Sequence, residues 1–354
     1  MKKLFSVLVA SALLLGAQAM AKPSVGFVYV GPIGDGGWTQ AHNKGRLHLE
    51  SLGYKTQYVE SVPESDSEKV IRRLAQRNDM VITTSFGFMD PTERVAKAMK
   101  NKTFVHISGF KMNDTNFGNA TCRQYQPRYL AGMAAGMLTK NNKIGFVGSY
   151  PIPEVLAGIN SMVMGARSVN PKVQAEIVWM RHGGDRSVEE LDPPKDLEAA
   201  KALASSGNDV LFTTTDSPSV VQVAEERGLW AIGNDQDMSE YGKDSHATAP
   251  IFNWAPLYEY LTKNLEAGTW KPESLYWGID TGCVELSPWG PKVPQSVRSQ
   301  VDAVRARMIA KEFDVFDGGV TKQDGTKVPG PLSVGQILSM NYFVEGIVSP
   351  FPNN

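Results

Sequence analysis

Hydrophobic and polar positions alternate in blocks along this chain. Residues 24–30 form a short β-branched apolar run that ends in a glycine-rich turn, and helical periodicity follows over 39–52. The same beat predicts strands at 55–59, 79–84 and 103–108, with helices at 67–77 and 90–100 between them. Ser65 or Asp66 is the expected N-cap of the first of these helices, and Asp90, standing before Pro91, that of the second. After a break at 113–120 the rhythm restarts. Helices are expected at 129–140, 154–168, 194–206 and 219–227, and strands at 143–148, 173–179, 209–214 and 229–232. Strand–helix alternation of this kind builds parallel sheets covered on both faces. Two series in tandem read as two doubly wound lobes rather than one very wide sheet. The remaining segments, strands at 248–253 and 275–279 and helices at 257–267 and 297–311, suggest a chain that crosses back between lobes. The expected architecture is therefore α/β, with two parallel-sheet lobes joined by a multi-strand hinge around a cleft. Open parallel sheets bind ligands beyond their strand C-termini, so candidate chemistry is sought there.

Composition narrows the classes. Of 354 residues, 42 % are hydrophobic and 21 % charged, with 36 Lys plus Arg against 37 Asp plus Glu. Such a balance speaks against disorder and gives no reason to expect nucleic acid or an anionic bilayer as partner. Residues 1–21 read as a secretory leader: Lys2 and Lys3, an apolar run from Leu4 to Leu15, and Ala19-Met-Ala21 before a cut at Lys22. The run is short for a membrane anchor, and no cysteine follows it to carry a lipid. Export to the periplasm as a soluble chain is expected, and loss of the two leader lysines takes the formal charge from −1 to −3. The two cysteines, Cys122 and Cys283, either form a disulfide or lie apart as buried thiols. Neither has a partner at metal-ligand spacing, so no metal is expected.

The strand ends carry the candidate site. The loop Gly31-Pro-Ile-Gly-Asp-Gly-Gly-Trp-Thr39 fits neither a dinucleotide fingerprint nor a Walker loop. It presents Trp38 either as a ring that stacks on a planar ligand or as packing at the lobe edge. Phe86 and Phe88 flank a glycine at the next strand end, where one of the two is expected to close the core instead. Asp216, the pair Asp235 and Asp237, and Asn253 with Trp254 stand at three successive strand ends of the second series. Catalysis finds little support. The five histidines show no metalloprotease spacing, and Ser149 lacks the following glycine of a nucleophile elbow. The expectation is a binding protein with no cofactor, not an enzyme.

Several segments together resemble the basic-membrane-protein family of ABC-transporter substrate-binding proteins. They are Gly34-Asp-Gly-Gly-Trp-Thr39, Thr84-Ser-Phe-Gly-Phe-Met-Asp-Pro91, Arg128-Tyr-Leu-Ala-Gly132, Pro151-Ile-Pro-Glu154, Gly165-Ala-Arg-Ser-Val-Asn-Pro171, Thr215-Asp-Ser-Pro218, Ala224-Glu-Glu-Arg-Gly228 and Leu338-Ser-Met-Asn341. The resemblance is closest to periplasmic purine-binding proteins and implies a type I periplasmic-binding-protein fold. It implies that Trp38 stacks on a purine and that Asp235 or Asp237 falls where nucleoside receptors grip ribose. Asn253 stands where those receptors use a lysine, which favours a nucleobase such as adenine, guanine or hypoxanthine over a nucleoside. The related purine binders carry a second tryptophan after the strand that ends here at Trp179. This chain has Arg181-His182-Gly-Gly-Asp185 instead, a candidate specificity loop. The resemblance further implies an inner-membrane ABC permease as partner and a monomeric chain. Expected lobes are 22–122 with 253–283, and 123–252 with 284–354. Alternative readings are a receptor of the same fold for a nucleoside, sugar, flavin or quaternary amine, and an exported nucleoside-processing enzyme.

Overall fold

The computed structural model describes residues 22–180 and 192–352. In chain order the first half holds β1 (Val25–Val28), α1 (Trp38–Ser51), β2 (Thr56–Val59), α2 (Glu64–Ala75), β3 (Met80–Thr83), α3 (Met89–Ala98), β4 (Thr103–Ile107) and β5 (Phe117–Cys122). There follow α4 (Tyr125–Leu138), β6 (Lys143–Gly148), α5 (Pro153–Val169), β7 (Gln174–Trp179), α6 (Pro193–Ser205), β8 (Val210–Thr213), α7 (Ser219–Arg227), β9 (Trp230–Ile232) and β10 (His246–Thr248). The last part holds β11 (Pro250–Phe252), α8 (Ala255–Glu266), β12 (Ser274–Trp277), β13 (Val284–Leu286), α9 (Gln295–Ile309), β14 (Val320–Thr321), β15 (Lys327–Val328) and α10 (Val334–Leu338).

Two parallel sheets result, a six-stranded one in the order β12-β5-β4-β3-β1-β2 and a five-stranded one in the order β10-β9-β8-β6-β7. Central strands such as Val25–Val28 and Met80–Thr83 are buried at every position, as strands covered on both faces must be. Edge strands differ. Thr56–Val59 has two exposed residues, and Gln174–Trp179 alternates. The β7 edge is covered by the chain's own tail, where Ala175 N–H donates to Gly346 O and Val348 N–H to Ala175 O. An open edge is thereby closed to pairing with another chain.

Helices α4 and α5 pack backbone to backbone. A Cβ on Gly132 would fall 2.0 Å from the carbonyl oxygen of Met162, and one on Gly165 2.0 Å from that of Tyr129. Glycine is therefore required at this crossing.

The chain passes between the lobes after β5, through β11 and through β13, and β11 pairs antiparallel with β13. These crossing segments form the hinge, and side chains and backbone bind them together. Gln124 Nε2 donates to Pro250 O at 3.3 Å, and Asn253 N–H donates to Cys283 O at 2.9 Å. Cys122 and Cys283 are bonded, with Cα atoms 6.0 Å apart, and so tie the first crossing to the third.

Four local expectations are corrected. The break at 113–120 contains β5, which lies between β4 and β12. Its Phe-Gly-Asn-Ala-Thr-Cys pattern hides a fully buried strand, because Asn119 is satisfied by Lys111 O and by the Ser274 hydroxyl. The single strand expected at 248–253 divides into β10, parallel to β9, and β11, antiparallel to β13. Helix α2 begins at Glu64 after Pro63, so Ser65 and Asp66 lie inside its first turn rather than capping it. Asp90 likewise lies in the first turn of α3 and pairs with Lys111 at 2.7 Å.

The hinge disulfide closes a long loop, and bonds of this kind contribute about 2–4 kcal/mol. Unreduced protein should therefore show no free thiol on titration, and exchange of both cysteines for serine should lower urea stability by about that amount. An unchanged unfolding midpoint would remove the bond from the account of hinge stability.

Candidate functional site

The C-terminal ends of β1, β3 and β4 face those of β6, β8 and β9 across a cavity of about 790 Å³, its solvent-open part included. One wall is built on the N-terminus of α1. Asp35 accepts from the backbone N–H groups of Gly37, Thr39 and Gln40 at 3.0, 2.8 and 2.9 Å, closing the helix end from within its own lobe. The next residue inward, Trp38, turns its ring to the cavity. Its Nε1 donates to Thr84 O at 2.6 Å, and His42, Phe252 and Trp254 meet it edge-on at 4.4, 5.3 and 5.6 Å. Behind it, His42 stacks on Trp254 at 4.2 Å and shares a 2.5 Å hydrogen bond with the hydroxyl of Tyr258. Burial holds His42 well below the ordinary imidazole range, so this packing is uncharged. The ring is thus fixed before any ligand arrives.

The opposite wall is acidic around one guanidinium. Arg128, on the first turn of α4, is buried; its Nη2 donates to Asn234 Oδ1 at 2.9 Å and lies 3.6 Å from Asp235 Oδ1. Asp235 has a left-handed backbone (φ 58°) and also accepts from Gln124 Nε2 at 3.1 Å. Burial pushes its carboxyl up to about 7, outweighing the pull of Arg128. Glu154, in the first turn of α5, is likewise raised by burial and accepts from the Ser108 hydroxyl of the other lobe. With Glu64 and Asp216, four carboxyl groups and one guanidinium line the cavity, and no lysine is among its described lining residues. Such a wall accepts hydrogen bonds from ring N–H, amino or hydroxyl groups, while the aromatic wall takes a flat face.

Of the residues singled out in the sequence, Trp38, Phe86, Asp216 and Asp235 come together on this cavity. Phe88 does not: it is wholly buried beneath the sheet with Val28, Val81 and Val95. Trp254 is also wholly buried and supports Trp38 from behind. Asp237 is exposed and caps Ser239 N–H at 3.0 Å, and Asn253 is exposed with its Oδ1 turned to Ala255 N–H; neither lines the cavity. Arg181, His182 and Asp185 lie outside the described residues. The sequence reading gave no site role to Arg128 or Glu154, which it named only within the segments that carry the resemblance. The signal for Arg128 was present as the one charged residue of the helix Tyr125–Leu138.

Two parallel-sheet lobes with an aromatic and acidic cleft at their facing strand ends have the architecture of a solute-binding protein. Among the described residues, no group of three His, Cys, Asp or Glu side chains is placed to hold a metal. The chain belongs to the Bmp family, described as ABC transporter substrate-binding protein PnrA-like, whose pattern matches residues 22–315. It is 38 % identical over 347 residues to a purine-binding protein of Brucella abortus, covering 95 % of this chain and 96 % of that one. It is 36 % identical over 330 residues to an ABC-transporter protein of Haloferax volcanii named for glucose binding, covering 92 % and 81 %. The solved solute-binding protein of Conexibacter woesei shares the fold, with a TM-score of 0.68 at 24 % identity over 82 % of this chain and 98 % of that one. Members of this family act outside the cytoplasm as non-catalytic receptors that serve an ABC permease with a small-molecule ligand, typically as monomers.

Asp235 links the site to pH. Its folded-state value lies above the ordinary 3.8, so the native state holds a proton that the unfolded chain has released. The stability this gives is complete below about 4 and lost as pH rises through about 7. Urea midpoints measured from pH 4 to 8 should decline across that window, and Asp235→Asn should flatten the decline. Equal slopes for both proteins would show that Asp235 ionises normally.

Proposed function

We propose that this chain is the periplasmic receptor of an importer for purine nucleobases, such as adenine, guanine or hypoxanthine. The observation that carries the reading is the Trp38 ring, locked by its Nε1 bond to Thr84 O and facing a wall of carboxyl groups. A purine offers that pair of walls a flat aromatic face and N–H donors on its edge. Base–aromatic stacking is worth about 1–3 kcal/mol in single-strand binders, and Arg128 supplies a donor for a ring nitrogen or carbonyl. The name of the Brucella relative supports the ligand class. Preference for the free base rests on the absence of a lysine among the described lining residues, since the exposed Asn253 stands outside the cavity.

In this reading residues 1–21 are a leader cut before Lys22, and the mature chain carries no lipid. The first lobe comprises 22–122 with 253–283, and the second 123–252 with 284–354. The ligand docks on one lobe, the hinge closes, and the closed form is presented to the permease. Contacts made only in the closed state set the affinity. The Haloferax relative's name favours a second reading, a hexose stacked on Trp38 with its hydroxyls on the same carboxyl groups.

Calorimetry with adenine, guanine, hypoxanthine, adenosine and glucose separates the two. A nucleobase should bind most tightly, and Trp38→Ala should weaken it by at least ~1 kcal/mol with folding intact. Tight binding of glucose with no purine heat would replace the purine by a sugar. Native mass spectrometry of exported protein should give a chain that begins at Lys22; a retained leader would refute the cleavage.

A further inference from the structure

We propose that Asp216 is a positioning residue that clasps the two lobes by completing, from the second lobe, the N-terminal cap of α1 in the first. Three of the helix's leading amides, those of Gly37, Thr39 and Gln40, are taken by Asp35 of their own lobe. The fourth, on Trp38, donates instead to Asp216 Oδ1 at 2.8 Å, across 178 residues of chain. Asp216 follows β8 and reaches over the cleft, so this bond exists only while the lobes are together. Gly37 supplies no side-chain cap of its own.

The approach is built into two glycines. A Cβ on Gly37 would lie 2.0 Å from Asp216 Oδ1 and 2.9 Å from its Cα, and one on Gly36 would lie 3.0 Å from its carbonyl oxygen. Any side chain at 37 therefore bars the carboxylate from the helix end. A carboxylate at a helix N-terminus is favoured by both the free amide and the helix dipole, and bonds to ionised groups are about twice as strong as neutral ones. Among the described residues, bonds from Ser108 to Glu154 and from Lys44 to Gln236 also cross the cleft, but neither touches Trp38. Asp216 alone among these acts on the backbone of Trp38. Closure thereby seats the second lobe on the backbone of the residue whose ring is already held by Thr84 O, whichever planar ligand fills the cavity.

The test uses Gly37→Ala, which obstructs the clasp without altering a cavity-lining residue, beside Asp216→Ala, Asp216→Asn and the double variant. Nitroxide labels at Lys69→Cys on α2 and Gln222→Cys on α7, both exposed, report the interlobe distance in the disulfide-bonded mature protein. Pulsed electron resonance is recorded without ligand and with saturating adenine, and dissociation rates are followed in parallel. Gly37→Ala and Asp216→Ala should each shift the distribution to longer distances and raise the adenine dissociation rate about tenfold. The double variant should be no worse than the stronger single one, because both remove the same contact. Asp216→Asn, which keeps an acceptor, should lie between them and the wild type. Distances in Gly37→Ala and Asp216→Ala superimposable on the wild type in both conditions, or additive losses in the double variant, would overturn the clasp. Should adenine leave the wild type itself unmoved, the purine reading fails separately, and the ligand-free distributions decide on the clasp.

Discussion

A parallel strand leaves its last carbonyls and the first amides of the following helix at the same edge of the sheet. With every strand pair of both large sheets parallel, all such ends in each lobe gather on one side. The hinge then turns those two edges toward each other. That single constraint explains why the N-termini of α1, α4 and α5 and the loops after β3, β8 and β9 all meet on one cavity. It also explains the character of the lining. Helix starts call for acceptors, which Asp35 and Asp216 provide, and the loops supply residues free of the apolar demand that governs the strands themselves.

Asp216, Asp235 and Arg128 are buried and Glu64 and Glu154 half-buried, which is unfavourable unless each is paired or neutral. The chain answers in both ways. Asp235 lies beside Arg128 and Gln124 yet is raised to about 7, and Glu154 is raised as well, so the cavity's negative charge is smaller than its count of acids suggests. Arg128 retains Nε and Nη1 without a hydrogen-bond partner among the described residues. A ligand with both donors and acceptors on its rim suits such a wall better than a purely cationic one, whose attraction would be weakened wherever the acids hold their protons.

The sequence made the scaffold legible where burial imposes a simple pattern. Strands such as Val25–Val28 and Met80–Thr83 are apolar throughout because helices cover both faces. It failed where polar side chains are buried with their own partners, as at Asn119 in β5, since an amide satisfied by a neighbouring carbonyl looks like a loop residue on paper. At the site, position along the chain found the right strand ends but not the direction of each side chain. Asp235 turns inward through a left-handed backbone, whereas Asp237, two residues on, points to solvent and caps a short turn. Phe86 and Phe88 divide between cavity and core for a similar reason, the intervening 3₁₀ turn carrying them to different sides. Arg128 and Glu154 were given no site role because candidates were sought at strand ends, whereas Arg128 precedes the helix expected at 129–140 and Glu154 opens the one expected at 154–168.

The hinge and the clasp restrict motion differently. At the hinge, the disulfide joins the first crossing to the third, while Gln124 and Asn253 tie both to the second. Segments bound in this way resist sliding past one another, which leaves rotation as the soft movement. Within the cleft, Asp216 reaches a helix end that only glycine at 37 leaves open. Rotation about a fixed hinge returns that carboxylate to the same amide each time. Closing then needs no rearrangement of Trp38: its ring is already locked by Thr84 and the rings behind it, and the second lobe has only to arrive.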